Sequence, residues 1–178
     1  VPQANYKNYQ YLKKVVYKNQ PLLLPDTIKN DVVGLVKAIN KSMGINKVLF
    51  YGLPGTGKTE SVYQIARLLN RDLLTVDFEQ LVDSRLGQTA KNISSLFDEI
   101  SRVQYQNVII LFDEIDAIVL DRVNNNDLRE MGRVTSTFLR ELDSLHEDVV
   151  IIATTNLIKS FDKALIRRFD SIISFDRY

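Results

Sequence analysis

Eight consecutive residues constrain this chain more than any others: Gly52-Leu53-Pro54-Gly55-Thr56-Gly57-Lys58-Thr59. They follow a short apolar run, Val48 to Tyr51. They open an amphipathic stretch, Lys58 to Leu69, with Val62, Ile65, Ala66 and Leu69 at core spacing. A strand that turns through glycines into a helix makes a cradle for an anion. Glycine lets the backbone curl so that successive N–H groups point inward. The helix adds its unpaired N-terminal N–H groups and its dipole. In the spacing G-x-x-x-x-G-K-[ST], the lysine reaches the β- and γ-phosphates of a nucleotide and the hydroxyl ligates Mg²⁺. Gly52, Pro54, Gly55, Thr56, Gly57, Lys58, Thr59 and Glu60 are therefore the expected nucleotide contacts, and Thr59 an expected metal ligand.

Around this loop, strand and helix patterns alternate. Asp26 reads as an N-cap for a helix whose core face is Ile28, Val32, Leu35, Val36 and Ile39, ended by Gly44. Leu73 to Val76 reads as a strand. Ile93, Leu96, Phe97, Ile100 and Val103 mark a helix, and so do Val134, Phe138, Leu142 and Leu145. Val108 to Phe112 and Val149 to Ala153 are continuous apolar runs, as strands covered on both faces are, and Ile172 to Phe175 is a last short strand. Alternation of this kind predicts an α/β fold of the P-loop NTPase type, a three-layer sandwich. Its mainly parallel five-stranded sheet is flanked by helices and binds ligands at the C-terminal ends of the strands. Residues 1–21 read as a polar, partly helical lead-in or linker, and residues 22–178 as the nucleotide-binding unit.

The run Val108 to Phe112 ends in Asp113-Glu114. A carboxylate at the end of a central strand lies beside the phosphate loop. Asp113 is the expected second metal ligand, through the water shell of Mg²⁺. Glu114 is the expected general base that orients the attacking water. Either acid alone would pass for a solvated strand end; together with the loop upstream they form a hydrolytic pair. Asp116 either positions the next segment or is plain surface.

With both motifs present, the chain resembles the AAA+ ATPases, and within them the AAA subgroup of protein remodellers. Leu111 to Asp116 resembles their Walker B segment, and Ile151 to Asn156 their sensor 1 strand. Gly132 to Asp143 resembles the helix before that strand, and Ala164 to Asp170 the arginine-finger stretch. The likeness runs from Leu22 to Phe175. It implies ATP and Mg²⁺ as cofactors and Asn156 as a catalytic residue near the γ-phosphate. It also implies that Arg167 and Arg168 act in trans on the nucleotide of a neighbouring subunit. By themselves, Asn156 would read as a turn residue and the arginines as a solvated pair; arginine is the suitable type for a transferring phosphoryl group because its fork is always charged. The resemblance further implies a homo-oligomeric ring, hexameric in the full-length protein, and a protein substrate. An AAA+ nucleic-acid loader or initiator is the alternative. Such proteins normally continue into a helical lid, so the stop at Tyr178 reads as a truncation.

The chain departs from the subgroup at Leu81 to Thr89. This segment resembles the first pore loop, but Arg85 stands where an aromatic usually grips the substrate. Arg85 is either a charged or stacking substrate contact or a surface arginine. His146, the single histidine, reads as a cap or surface residue. The interleaved Tyr6, Tyr9, Tyr11, Tyr17 and Lys7, Lys13, Lys14, Lys18 read as a docking or linker segment in preference to a single-strand stacking surface.

Composition narrows the rest. The formal net charge of +1 over 178 residues gives no electrostatic reason to expect nucleic acid as a partner. The chain has no cysteine, which excludes disulfides, thiolate metal sites and a cysteine nucleophile. No apolar run approaches a membrane span. A cytoplasmic location is the expectation.

Overall fold

The computed structural model describes residues 8–16, 24–118 and 128–176. In chain order the elements are β1 (Lys13–Lys14), α1 (Asp26–Asn40), β2 (Lys47–Tyr51), α2 (Lys58–Leu68), β3 (Asp72–Asp77) and α3 (Gln88–Ser101). They continue as β4 (Val108–Asp113), α4 (Leu128–Ser144), β5 (Ile151–Thr155), α5 (Lys163–Ile166) and β6 (Ser171–Ser174). The strands form one sheet in the order β1-β3-β4-β5-β2-β6. All pairings are parallel except β1 with β3. The expected five parallel strands are present, and a short sixth strand is added at one edge.

The alternation of side chains along β4 shows how the sheet is covered. Val108, Ile110 and Phe112 face one core, and Ile109 and Leu111 face the other. The first core takes its helical side from α3, α4 and α5, through Ile93, Phe97, Phe138 and Leu165. The second takes it from α1 and α2, through Ile28, Leu35, Val62 and Ile65. This is the three-layer sandwich that the apolar runs predict. Phe78, Phe97, Phe112 and Phe138 interlock in the first core with ring centroids 5.1–6.1 Å apart, mostly edge to face. Phe112 precedes Asp113, so this cluster fixes the end of β4 where the acids begin.

Register sets the site. Tyr51 pairs with both Thr155 and Ser174, and Asp77 pairs with Asp113. Strands β2, β3, β4 and β5 therefore end at one edge of the sheet, and Gly52, Glu114 and Asn156 are the next residues out.

Two expectations need correction. Helix α1 starts at Asp26, with Pro25 in the cap position and no side-chain cap. Proline has no N–H and a fixed φ near the helical value, so it suits this boundary. The lead-in is also not helical where it is described. Tyr11 and Leu12 are buried and Lys13–Lys14 pair with β3. The cause is Glu99 on α3, a buried carboxylate that accepts N–H bonds from Gln10, from Tyr11 (3.0 Å) and from Leu12 (3.1 Å). Its burial is tolerable because its acceptor capacity is filled by backbone donors. The carboxylate thus fastens residues 10–12 to the helical layer.

Replacing Glu99 by Ala leaves those donors without a partner, at a cost of about 1–3 kcal/mol. We expect a lower denaturation midpoint and faster amide exchange confined first to residues 10–15. An unchanged midpoint would show that Glu99 does not hold this segment.

Candidate functional site

The loop between β2 and α2 has the cradle geometry. Gly55 and Gly57 take φ of +78° and +93°, values that L side chains rarely adopt, and Gly57 is the left-handed cap from which α2 starts. Leu53, Pro54 and Gly55 form the exposed tip. Lys58 is buried, and its Nζ donates to the backbone oxygens of Gly52 and Leu53, both at 2.8 Å. Thr56 Oγ1 lies 3.4 Å from the same Nζ. Burial lowers the Lys58 pKa, and the carboxylates of Asp176, Asp116, Glu114 and Asp113 oppose that shift. A lysine so placed keeps its ammonium on the loop carbonyls, near the acids at the end of β4. Glu60 lies exposed on the first turn of α2.

The loop is also held from outside. The Leu53 N–H donates to Asp176 Oδ1 at 2.8 Å, just beyond β6. A Cβ on Gly52 would come within 3.1 Å of that same oxygen and of Phe175 Cβ, so a side chain here would have to push both back by a few tenths of an ångström.

The acid pair sits directly across. Asp113 Oδ1 accepts the Thr59 hydroxyl at 3.0 Å and the Thr154 hydroxyl at 2.8 Å. The metal ligands proposed from sequence, Thr59 and Asp113, are thus already neighbours. One carboxylate, one hydroxyl and the phosphates of a nucleotide suit Mg²⁺, which keeps several waters and takes few protein ligands. No cluster of three or more His, Cys, Asp or Glu side chains with metal-binding geometry exists among the described residues.

Glu114 has a left-handed backbone, φ +50°. For a residue other than glycine that conformation costs about 1–3 kcal/mol and persists only where neighbours impose it. Here the Glu114 N–H donates to Thr154 Oγ1 at 2.8 Å and the Ile115 N–H to the Thr154 carbonyl at 3.1 Å. Asp116, left open by the sequence between two roles, is buried. It accepts the Thr155 hydroxyl, and the Asn156 N–H at 3.1 Å. A cavity of about 520 Å³ opens here, lined by Asp77, Glu79, Asp113, Glu114, Asp116 and Asn156 among others.

The structure therefore brings together the loop, Thr59, Asp113, Glu114 and Asn156. Neither Arg167 nor Arg168 lines that cavity. Arg167 caps α5 and is exposed. Arg168 is half-buried, with Nε 2.9 Å from Asp143 Oδ1 on α4, a charge contact in which the N–H is not aimed at the oxygen. Sequence reasoning did not single out Thr154, Asp176 or Glu99. Thr154 alone carried a signal, its place two residues before Asn156 at the end of β5.

Arg85 is not loose on its loop. Its backbone N–H and Nε donate to Asp83 Oδ1 at 2.8 and 3.0 Å, and Nη2 donates to Oδ2 at 2.8 Å. The Arg85 side chain remains 75% exposed and Leu86 is 74% exposed, so both stand at the tip. His146 stacks on Tyr105, with centroids 4.5 Å apart, and its Nδ1 accepts the Asp148 N–H, which agrees with a cap and surface role.

The family described as "ATPase family associated with various cellular activities (AAA)" matches residues 48–177. The AAA family ATPase y4kL of Sinorhizobium fredii is 34% identical over 171 residues, covering 86% of this chain and 51% of that protein. The proteasome-activating nucleotidase of Methanoculleus marisnigri is 39% identical over 132 residues, covering 71% of this chain and 32% of that protein. The chain thus spans about half of the first relative and a third of the second. Among solved structures, a chain of the Escherichia coli HORMA:CdnC:Trip13 complex superposes with a TM-score of 0.67 at 20% identity, covering 86% of this chain and 63% of that one. At that identity the likeness concerns the fold.

The Asp83 pair yields a pH prediction. Hydrogen bonds from Arg85 hold the Asp83 carboxyl down to about 2. A depressed carboxylate pKa means that the pair is present above the ordinary carboxylate range and is lost as pH falls through about 2. The Asp83 carboxyl carbon shift should stay flat from pH 7 to pH ~3 by NMR, and Arg85→Gln should restore titration near ~3.9. An ordinary midpoint in the unsubstituted chain would dissolve the pair.

Proposed function

Because the chain belongs to the ATPase family associated with various cellular activities, we propose that it binds ATP with Mg²⁺ and hydrolyses it to ADP and phosphate, as one subunit of a ring that remodels proteins. The observation that carries this reading is the double hydroxyl contact on Asp113, from Thr59 of the loop helix and Thr154 of the neighbouring strand. It draws the loop, the acid strand and the Asn156 strand onto one atom.

In this reading Gly52, Pro54, Gly55, Thr56 and Gly57 wrap the phosphates with backbone N–H groups, and Glu60 follows on the helix behind them. Lys58 leaves its carbonyl partners for the β- and γ-oxygens. Thr59 and Asp113 would hold Mg²⁺, which would supply positive charge beside the phosphoryl group being transferred. Glu114 accepts the proton of the attacking water, and the Asn156 amide orients that water or the γ-phosphate. Two supports favour a neighbour's arginine. Among the described residues, the cavity beside Glu114 is lined by four further carboxylates, Asp77, Glu79, Asp113 and Asp116, and by no arginine or lysine side chain. Arg167 is exposed and, among the described residues, has no ion-pair partner.

Support for protein handling comes from the relative that activates the proteasome and from a net charge of +1. Residues 22–178 form the ATPase unit, with 8–16 docked on its sheet edge. Among the described residues, no helix is long and apolar enough to cross a membrane.

A mixing experiment on the full-length protein tests the shared site. Lys58→Ala cannot load nucleotide but keeps its arginines. Arg167→Ala/Arg168→Ala loads nucleotide but lacks them. An arginine supplied in trans is worth ~10³–10⁵ in turnover in GTPases, so each variant alone should be nearly inactive. Mixed rings should regain part of the ATPase rate. No recovery in rings shown to be mixed would place these arginines in cis or in structural roles.

A further inference from the structure

Three consecutive residues at the end of β4 are tied to one residue of β5. The Thr154 hydroxyl donates to Asp113 Oδ1 at 2.8 Å and accepts the Glu114 N–H at 2.8 Å. The Thr154 carbonyl accepts the Ile115 N–H at 3.1 Å. The side chain is 1% exposed, so water does not substitute for these partners. A hydroxyl has one proton to give and lone pairs to receive. Here the proton goes to the carboxylate and a lone pair takes the amide, a split that neither a carbonyl nor an ammonium reproduces.

The backbone of Glu114 explains why this contact matters. Its φ of +50° is a conformation that a glutamate does not hold unaided. Turning φ out of the left-handed region would rotate the Glu114 side chain relative to the cavity that this residue lines with Asn156. The interlock of Phe112 with Phe78, Phe97 and Phe138 fixes the residue before Asp113. The bonds to Thr154 fix residues 113, 114 and 115. Among the described residues, Thr154 provides the side chain that contacts both the metal-binding acid and the backbone of the proposed base.

We propose that Thr154 is a positioning residue for ATP hydrolysis: its hydroxyl locks the Asp113 carboxylate and the strained Glu114 backbone into one geometry, so that strand β5 sets the aim of the base. The proposal rests on the assignment of Glu114 as the base. Thr154 touches neither water nor nucleotide in this account. Its effect falls on the step that depends on the direction of Glu114, and little on binding, which the loop and Lys58 supply.

The test compares Thr154→Val, Thr154→Ala and Thr154→Ser with Glu114→Gln in the full-length protein, by steady-state ATPase kinetics, ATP affinity and thermal melting. Thr154→Val keeps the volume and removes both hydrogen bonds. It should lower kcat about tenfold or more, as misaimed catalytic groups do, with KM for ATP within about twofold. Thr154→Ser keeps the hydroxyl and should restore kcat to within about threefold. Thr154→Ala, which puts no methyl against Asp113, should behave as valine does and serves if the valine form does not fold. If folded Thr154→Val and Thr154→Ala both hydrolyse ATP at the unsubstituted rate while Glu114→Gln is inactive, the proposal is overturned and the base assignment stands. A loss equally large in kcat, ATP affinity and melting temperature that serine does not rescue would make Thr154 merely structural. If Glu114→Gln itself turns over normally, the base assignment fails and the proposal with it.

Discussion

One carboxylate oxygen, Asp113 Oδ1, organises this molecule's working edge. It accepts a hydroxyl from the helix that follows the phosphate loop and another from β5, the strand that leads into Asn156. An ionised carboxylate accepts such bonds strongly, and both donors here are short, stiff threonines. Everything else about the site depends on three chain segments ending within reach of that atom. The parallel register of β2, β4 and β5 delivers them there, and the two apolar cores keep the register from slipping.

The same edge stores strain. Glu114 occupies a left-handed conformation, and Lys58 is buried against carbonyls with its pKa lowered by burial. Each is unfavourable alone. Each is held by partners: Thr154 for Glu114, and the Gly52 and Leu53 carbonyls with nearby carboxylates for Lys58. Groups held in costly positions by a rigid surround are what preorganised catalysis uses, because little remains to be arranged when substrate arrives.

Much of this was legible in the sequence, for identifiable reasons. Buried parallel strands require continuous apolar runs, so β4 and β5 announced themselves. The phosphate loop is a local feature whose glycines and lysine must be contiguous. Partnerships between distant residues were not legible. Glu99 looked like any helical glutamate, because nothing local shows that residues 10–12 return to meet it. Asp176 holds Leu53 across a sequence separation of 123 residues. Thr154 reads as an ordinary β-branched strand residue until the fold places it against Asp113. The two arginines looked alike in sequence, and packing separates them: Arg168 lies against Asp143 while Arg167 is exposed.

The central claim is that the loop, Asp113, Glu114 and Asn156 form one hydrolytic site. A crystal structure of the Glu114→Gln protein with ATP and Mg²⁺ tests it most directly. The account predicts the γ-phosphate on Lys58, the metal on Thr59 with Asp113 in its water shell, and an ordered water between Gln at position 114 and Asn156. A nucleotide bound away from the loop, or a metal with no contact to Thr59 or to the waters of Asp113, would contradict it.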